Sequence, residues 1–248
     1  MYFHRYASIG LSGEIELTYD QGVAFVGVGS TGNEVEVVNE WPKGGREEKV
    51  PTRIAYEADD SKLSQDAHGY KIPAGIKSYG WFKLHLDKKT EPTDFDDPRL
   101  ATELGLGIGA LPQHKSAVDV TVDYLRFVVK ETFAFLERRM GKETLQETPI
   151  KYFLTTPALW SFRSRELTRK AALEAGIGDT INSLGVMDKL FIVDEPEAAA
   201  IAAVKTSLDR RPGSNPFKVC YRVQKCVKLI VAANMFCGSV DTASSWRI

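Results

Sequence analysis

The sequence predicts an α/β fold on a mixed, partly parallel sheet, and three observations carry that reading. Residues 149–207 alternate strand, helix, strand, helix, the order that lays parallel strands side by side. Ser116–Met140 carries an apolar stripe, in which Val118, Val122, Leu125, Val129, Phe133, Leu136 and Met140 recur at helical spacing. The first forty residues read as β structure, with alternation at Glu14–Thr18 and again at Glu34–Val38.

Taken in order, Gly22–Val28 is a small, apolar strand, and the polar residues at 29–33 form a turn before Glu34–Val38. From Trp41 to His114, proline and glycine recur and the apolar runs are short. We read residues 43–114 as a small subdomain inserted on the main sheet. KVPTRIAY at 49–56 is one more strand, and YGWFKLHLD at 79–87 is a short helix or strand. Pro92–Arg99 is an acidic loop, and GLGIGALP at 105–112 is another loop.

Ser116 caps the long helix and Gly141 closes it. Asp119, Asp123, Arg126, Lys130 and Arg138 lie off the stripe, as a solvated face. A strand follows at 149–157, then a helix from about Ser161 to Ala175, supported by Glu166 and Lys170 at i,i+4 and ended by Gly176. The strand Leu190–Val193 leads into a helix at Glu197–Ser207. Arg210–Pro216 is a turn-rich linker, and the tail from Phe217 is β-rich and irregular.

A chain of 248 residues with 43% hydrophobic side chains buries a sizeable core. A formal charge of -1 gives no reason to expect nucleic acid or an anionic membrane as partner. No apolar run approaches the ~18 residues of a membrane span, and MYFHRYASIGLSG does not read as a signal peptide, because His4 and Arg5 interrupt it and no apolar core follows. Cys220, Cys226 and Cys237 lack the paired spacing of a zinc site. They read as reduced thiols, and the expected location is cytoplasmic.

Few residues carry a chemical signal alone. Gly27, Gly29 and Gly32 spell G-x-G-x-x-G, but a dinucleotide site needs a helix at the third glycine, and EVEVV follows instead. A hairpin turn is the better reading. His4, His68, His85 and His114 sit in no motif and read as packing or surface residues. No nucleophile signature is present. In TTPALWSFRSR (155–165), Pro157 stops a strand and Trp160 packs; alternatively, Pro157 and Arg165 form a switch. In VDEPEAAAIAA (193–203), Asp194 and Glu195 stand at the carboxyl end of a strand, where open α/β sheets bind ligands. Glu195 is either an acid at a helix start, favoured by the dipole, or a group that faces a metal-bound water.

Seven segments agree in order and spacing with one family over residues 34–207. They are EVEVVNEWP (34–42), KVPTRIAY (49–56), SYGWFKLHLD (78–87), KSAVDVTVDYLRF (115–127), TPIKYFLTTPALW (148–160), LTRKAALEAGI (167–177) and VDEPEAAA (193–200). Together they resemble the actin-like ATPase domain of the 70-kilodalton heat shock protein superfamily, above all its divergent, fungal-type branch. The resemblance implies an actin-like, ribonuclease-H-like fold of two lobes with ATP and Mg²⁺ in the cleft. Residues 1–248 would form an incomplete domain, the first lobe, with the second lobe absent. By resemblance, Glu195 holds the metal's water shell and Lys83 matches the lysine that reaches toward the γ-phosphate. Pro157 and Arg165 match the switch that reports nucleotide state. Asp20 and Gly22 fall in the first phosphate loop, and Gly238, Ser239 and Asp241 in the second.

Both loops depart from the family pattern. TYDQGVAF (18–25) lacks a Gly-Thr-Thr turn, and in NMFCGSVD (234–241) Phe236 and Cys237 replace glycines. A Cβ or a ring where backbone must approach phosphate blocks the approach. The expected function is therefore chaperone-like ATP binding, with the ancestral hydrolysis of ATP to ADP and phosphate weak or lost. The alternative is a non-catalytic lobe that binds a protein partner.

Overall fold

The computed structural model describes residues 7–11, 20–27, 35–87, 110–178, 181, 185 and 187–201. The expected strand Glu14–Thr18, the turn at 29–33, the acidic loop Pro92–Arg99, most of the loop at 105–112, the linker Arg210–Pro216 and the tail lie outside them, as do His4 and the three cysteines.

The main sheet has five strands: β1 (Ala7–Leu11), β3 (Ala24–Gly27), β4 (Glu36–Val37), β9 (Ile150–Thr156) and β10 (Lys189–Asp194), in the order β10-β9-β1-β3-β4. It is mixed. β10, β9 and β1 run parallel, with Asp194 opposite Thr156 and Tyr152 opposite Ile9. β1, β3 and β4 run antiparallel. The β3–β4 pair brings Phe25 opposite Glu36, so the residues described after the glycine-rich stretch, from Val35 on, enter a strand where the dinucleotide reading needs a helix. The dinucleotide reading of Gly27, Gly29 and Gly32 ends there.

Two smaller sheets lie around residues 43–114. β2 (Asp20–Gly22) pairs with β5 (Lys49–Pro51), and β6 (Arg53–Ala55) lies between β7 (Ala67–His68) and β8 (Tyr79–Gly80). The single strand expected at 49–56 is thus two strands in two sheets, broken at Thr52. Pro51 has no N–H to continue a ladder, and the freed carbonyls are used otherwise: the Tyr124 hydroxyl donates to Pro51 O at 3.1 Å.

Helix α1 (Ala117–Met140) begins on a capping box. Ser116 Oγ accepts from the Asp119 N–H, and Asp119 Oδ2 accepts from the Ser116 N–H at 2.8 Å. The Ser116 hydroxyl and N–H, both donating to Asp119 Oδ2, hold the Asp119 carboxyl below its ordinary range. Gly141, at φ +86°, closes the helix. The buried surface of α1 differs from the stripe read from sequence: Val122, Leu125 and Leu136 are buried, Val118, Val129, Phe133 and Met140 are only partly so, and Val120, Tyr124, Phe127, Val128 and Phe135 are buried as well. The cause is that α1 packs on two sides. Phe135 meets Phe25 of the main sheet, while Tyr124 meets Phe82 and Phe127 stacks on His68. Asp123 is accordingly no solvated residue. It accepts a hydrogen bond from the Tyr56 hydroxyl at 3.0 Å and pairs with Lys115 at 2.8 Å.

A short helix α2 (Lys142–Glu147) leads into β9. Helix α3 (Phe162–Glu174) then crosses over to β10, capped by Ser161, whose Oγ accepts from the Ser164 N–H. One cluster of buried side chains runs through all layers, from Val23 and Phe25 through Ile54, Tyr79 and Phe82 to Leu136, Tyr152, Ala171 and Leu190. No helix among the described residues is long and apolar enough to cross a membrane.

Candidate functional site

The two parallel strands β9 and β10 end side by side at Thr156 and Asp194. A turn with Pro157 and Trp160 follows the first, and helical residues 195–201 follow the second. Parallel strand ends are where an α/β sheet runs out of ladder partners and polar groups gather. Thr156 is fully buried, yet its Oγ1 has no hydrogen-bond partner. Buried polar atoms are nearly always bonded to protein or water, so an orphan at a strand end marks a place for a ligand or solvent.

Glu195 opens the helical segment, with Pro196 in its first turn, where a missing N–H costs nothing. Its side chain is only 9% exposed and pairs through Oε1 with Lys83 Nζ at 3.0 Å, a contact between residues 112 positions apart. The second oxygen, Oε2, is buried without a hydrogen bond. Burial pushes the Glu195 carboxyl above the usual carboxylate range; Lys83 opposes that shift and neighbouring Asp194 adds to it.

Lys83 arrives from the inserted region on a single 3₁₀ turn, Phe82–Leu86. The turn is aimed by Trp81, which stands at φ +57° in the left-handed region. For a residue with a bulky Cβ that conformation costs about 1–2 kcal/mol, and it persists where packing fixes it. Phe82 and Leu86, both buried, anchor the turn on either side of the lysine. The Lys83 ammonium also lies over the Trp160 ring, 5.6 Å from its centre.

Arg165 lies behind this pair. Its guanidinium meets Asp194 Oδ1 at 2.8 Å and donates to Ala158 O at 3.1 Å. The contact with Asp194 is an ion pair without hydrogen-bond alignment, since Oδ1 makes no hydrogen bond. The Pro157 carbonyl accepts from the Trp160 N–H at 3.1 Å, which closes the turn between β9 and α3. Four residues singled out from the sequence, Lys83, Glu195, Pro157 and Arg165, therefore share one corner of the molecule.

Asp20 and Gly22 are placed differently, in β2, opposite Pro51 and Lys49. Gly238, Ser239 and Asp241 lie outside the described residues. Sequence reasoning missed the Lys83–Trp160 contact, the Thr156 orphan and the Asp194–Arg165 pair. Trp160 stands within TTPALWSFRSR (155–165), but nothing local assigns it to a lysine 77 positions earlier.

The fold and this corner define an α/β protein with a charged pair at the carboxyl ends of parallel strands. Its sequence is similar to a 70-kilodalton heat shock protein. It is 28% identical to human heat shock 70 kDa protein 12A over 92 residues, which is 37% of this chain and 13% of that protein. It is 24% identical to the mouse protein of the same name over 183 residues, 70% of this chain and 25% of that one. The chain therefore spans about a quarter or less of the relatives it matches. No family model matches it.

Proposed function

We propose that this chain is a heat-shock-70-like ATP-binding protein in which hydrolysis is weak or lost. The observation that carries the reading is the Lys83–Glu195 pair, with Glu195 Oε2 left over. An ammonium and a carboxylate brought together at strand ends from 112 positions apart suit a triphosphate and its metal. The residues fit that use. Lys83, a third exposed, is a cation for a phosphate oxygen. Glu195 Oε2 is a free acceptor for a magnesium-bound water. When bound, Mg²⁺ neutralises phosphate charge. Pro157 and Arg165 report the state of the pair through the β9–α3 turn and Asp194. The actin-like arrangement, with residues 43–114 as its insertion, belongs to the same proposal. So does the assignment of Asp20, Gly22, Gly238, Ser239 and Asp241 to phosphate binding. Weak turnover follows from Phe236 and Cys237 in the second loop segment.

A second reading, a lobe that holds a protein partner, is favoured by Leu159 and Phe162. They lie within residues 157–165, on either side of Trp160, and are 69% and 80% exposed. Thermal melting of the purified chain with and without Mg-ATP decides. Nucleotide at about 100 times its dissociation constant adds ~2.7 kcal/mol, or roughly 5–10 °C for a chain of this size. No shift at millimolar Mg-ATP refutes nucleotide binding and leaves the partner reading. A shift that Glu195→Gln leaves intact refutes the role given to Glu195.

A further inference from the structure

We propose that Trp160 is a positioning residue of this site: its indole face holds the Lys83 ammonium in the pair with Glu195 and gives it up when an anion takes the lysine. The first half stands on geometry alone, and the second rests on the nucleotide reading above.

Lys83 has two holders on different elements. Glu195, at the start of the segment after β10, contacts Nζ at 3.0 Å, and Trp160, in the turn after β9, faces the same nitrogen at 5.6 Å. An ammonium within about 6 Å of an indole centre is attracted by the ring quadrupole. The ring itself is fixed. Trp160 is 7% exposed and packs with Leu86 and Ala117, while Leu111, Val118 and Leu167 border it. Leu86 and Lys83 share one 3₁₀ turn, so the indole grips that turn by packing at one end and by charge at the other. The backbone is fixed too, through the Trp160 N–H on the Pro157 carbonyl.

The arrangement has a consequence for the lysine. Its four-carbon stem has many rotamers, yet Glu195 alone constrains only the end of it. The aromatic face removes orientations in which Nζ swings toward solvent, through the exposed third of the side chain. An anion at the strand ends competes with both holders at once. The loss of Lys83 from the ring is then felt by the turn that carries Pro157 and leads into α3.

The test replaces Trp160 alone with mono-, di- and trifluorotryptophan, which weakens the quadrupole and changes shape little, so that the fold is kept. Acetylation of Lys83 is followed by mass spectrometry against other exposed lysines as internal references. We expect the Lys83 rate to rise stepwise with fluorination, reaching roughly two- to fivefold in all. Trp160→Phe, which keeps a weaker face, should fall between the wild type and Trp160→Leu. A rate unchanged across the fluorinated series overturns the first half, because packing is preserved there and only the ring's charge distribution is altered. The series is then repeated in saturating Mg-ATP. Disappearance of the fluorination effect supports release of the lysine. Persistence of the effect, in a chain whose melting point Mg-ATP does raise, overturns release. A chain that Mg-ATP does not stabilise removes the nucleotide reading, while the ring–lysine contact is still decided by labelling without nucleotide.

Discussion

Replacing Lys83 by methionine isolates the energetics of the pair. The substitution keeps the length and apolar stem and removes the charge. It leaves Glu195, 9% exposed, with neither oxygen bonded. Removing one partner of a fully buried pair costs about 3–5 kcal/mol. Lys83 is a third exposed, so solvent already screens part of the attraction. About 2 kcal/mol is the expected loss at pH 7.5, which is roughly 4–8 °C in melting temperature. The pH dependence gives the sharper signature. Burial holds the Glu195 carboxyl above its unfolded value. A carboxyl raised in the folded state binds more protons folded than unfolded. Its contribution is therefore present at acid pH and is lost as pH rises through the folded value. Without Lys83, which opposes the shift, that window extends upward. The variant should sit well below the wild type at pH 7.5 and approach it toward pH 5. Adding Glu195→Gln should restore most of the loss at pH 7.5, since no charge is then left buried. Urea melts across this pH range read all three proteins. A deficit in Lys83→Met that is constant with pH refutes the reasoning, as does a double variant no more stable than the single one.

Three further outcomes follow from the same structure. Gly178 stands at φ +80° with an added Cβ only 2.6 Å from Leu190 Cβ and 3.0 Å from its backbone N, whereas Gly176 at φ +87° faces open space. Gly176→Ala should cost about 1–2 kcal/mol, the price of the conformation alone, and Gly178→Ala clearly more in urea melts, because β10 must move. His68 is stacked on Phe127 at 5.0 Å, and its pKa is lowered by burial against the pull of Asp66, Asp123 and Glu131. The unfolded chain takes up that proton first, so stability should fall as pH drops below about 6.5, and His68→Phe should reduce the slope. Ser116→Ala removes one half of the capping box and should lower stability by about 1 kcal/mol in the same melts.

The local parts of this molecule were legible because local physics fixes them. Ser116 announces a helix start and Gly141 its end, while Asp119, read as solvated, completes the capping box. The strand–helix–strand pattern from 149 onward gave the parallel pair β9 and β10, but not β1, the third strand of that parallel half. What escaped depends on partners far away in the chain. Asp123 lies opposite the apolar stripe, which by periodicity means solvent. It becomes half-buried only because Tyr56, 67 positions earlier, folds over it. KVPTRIAY reads as one strand by composition, and its division between two sheets is settled by β2 on one side and by β7 and β8 on the other. The site follows the same rule. Pro157, Arg165 and Glu195 were visible from their places at strand ends and helix starts. Lys83 was visible only through resemblance, and its aim depends on Trp81 in a left-handed conformation, for which an aromatic residue gives no signal.

Two readings of Glu195 were open at the start, an acid that simply favours a helix start and an acid with a task. The two oxygens differ in their surroundings, and that arrangement is compatible with both readings. Oε1 is used by Lys83, and that contact with the helix start accounts for a carboxylate at this position. Oε2 is not accounted for by either. A purely structural acid in so buried a place would be expected to satisfy both oxygens, since each unmet bond costs about 1–3 kcal/mol. Burial and Asp194 push the carboxyl toward its neutral form, while Lys83 pulls it toward the charged one. A group balanced between opposing forces responds to a small additional charge nearby. The same lysine that stabilises Glu195 is the group an arriving anion would take. On the proposed function, withdrawal of Lys83 by an anion would change Glu195 first, and through it Asp194 and its ion-pair partner Arg165.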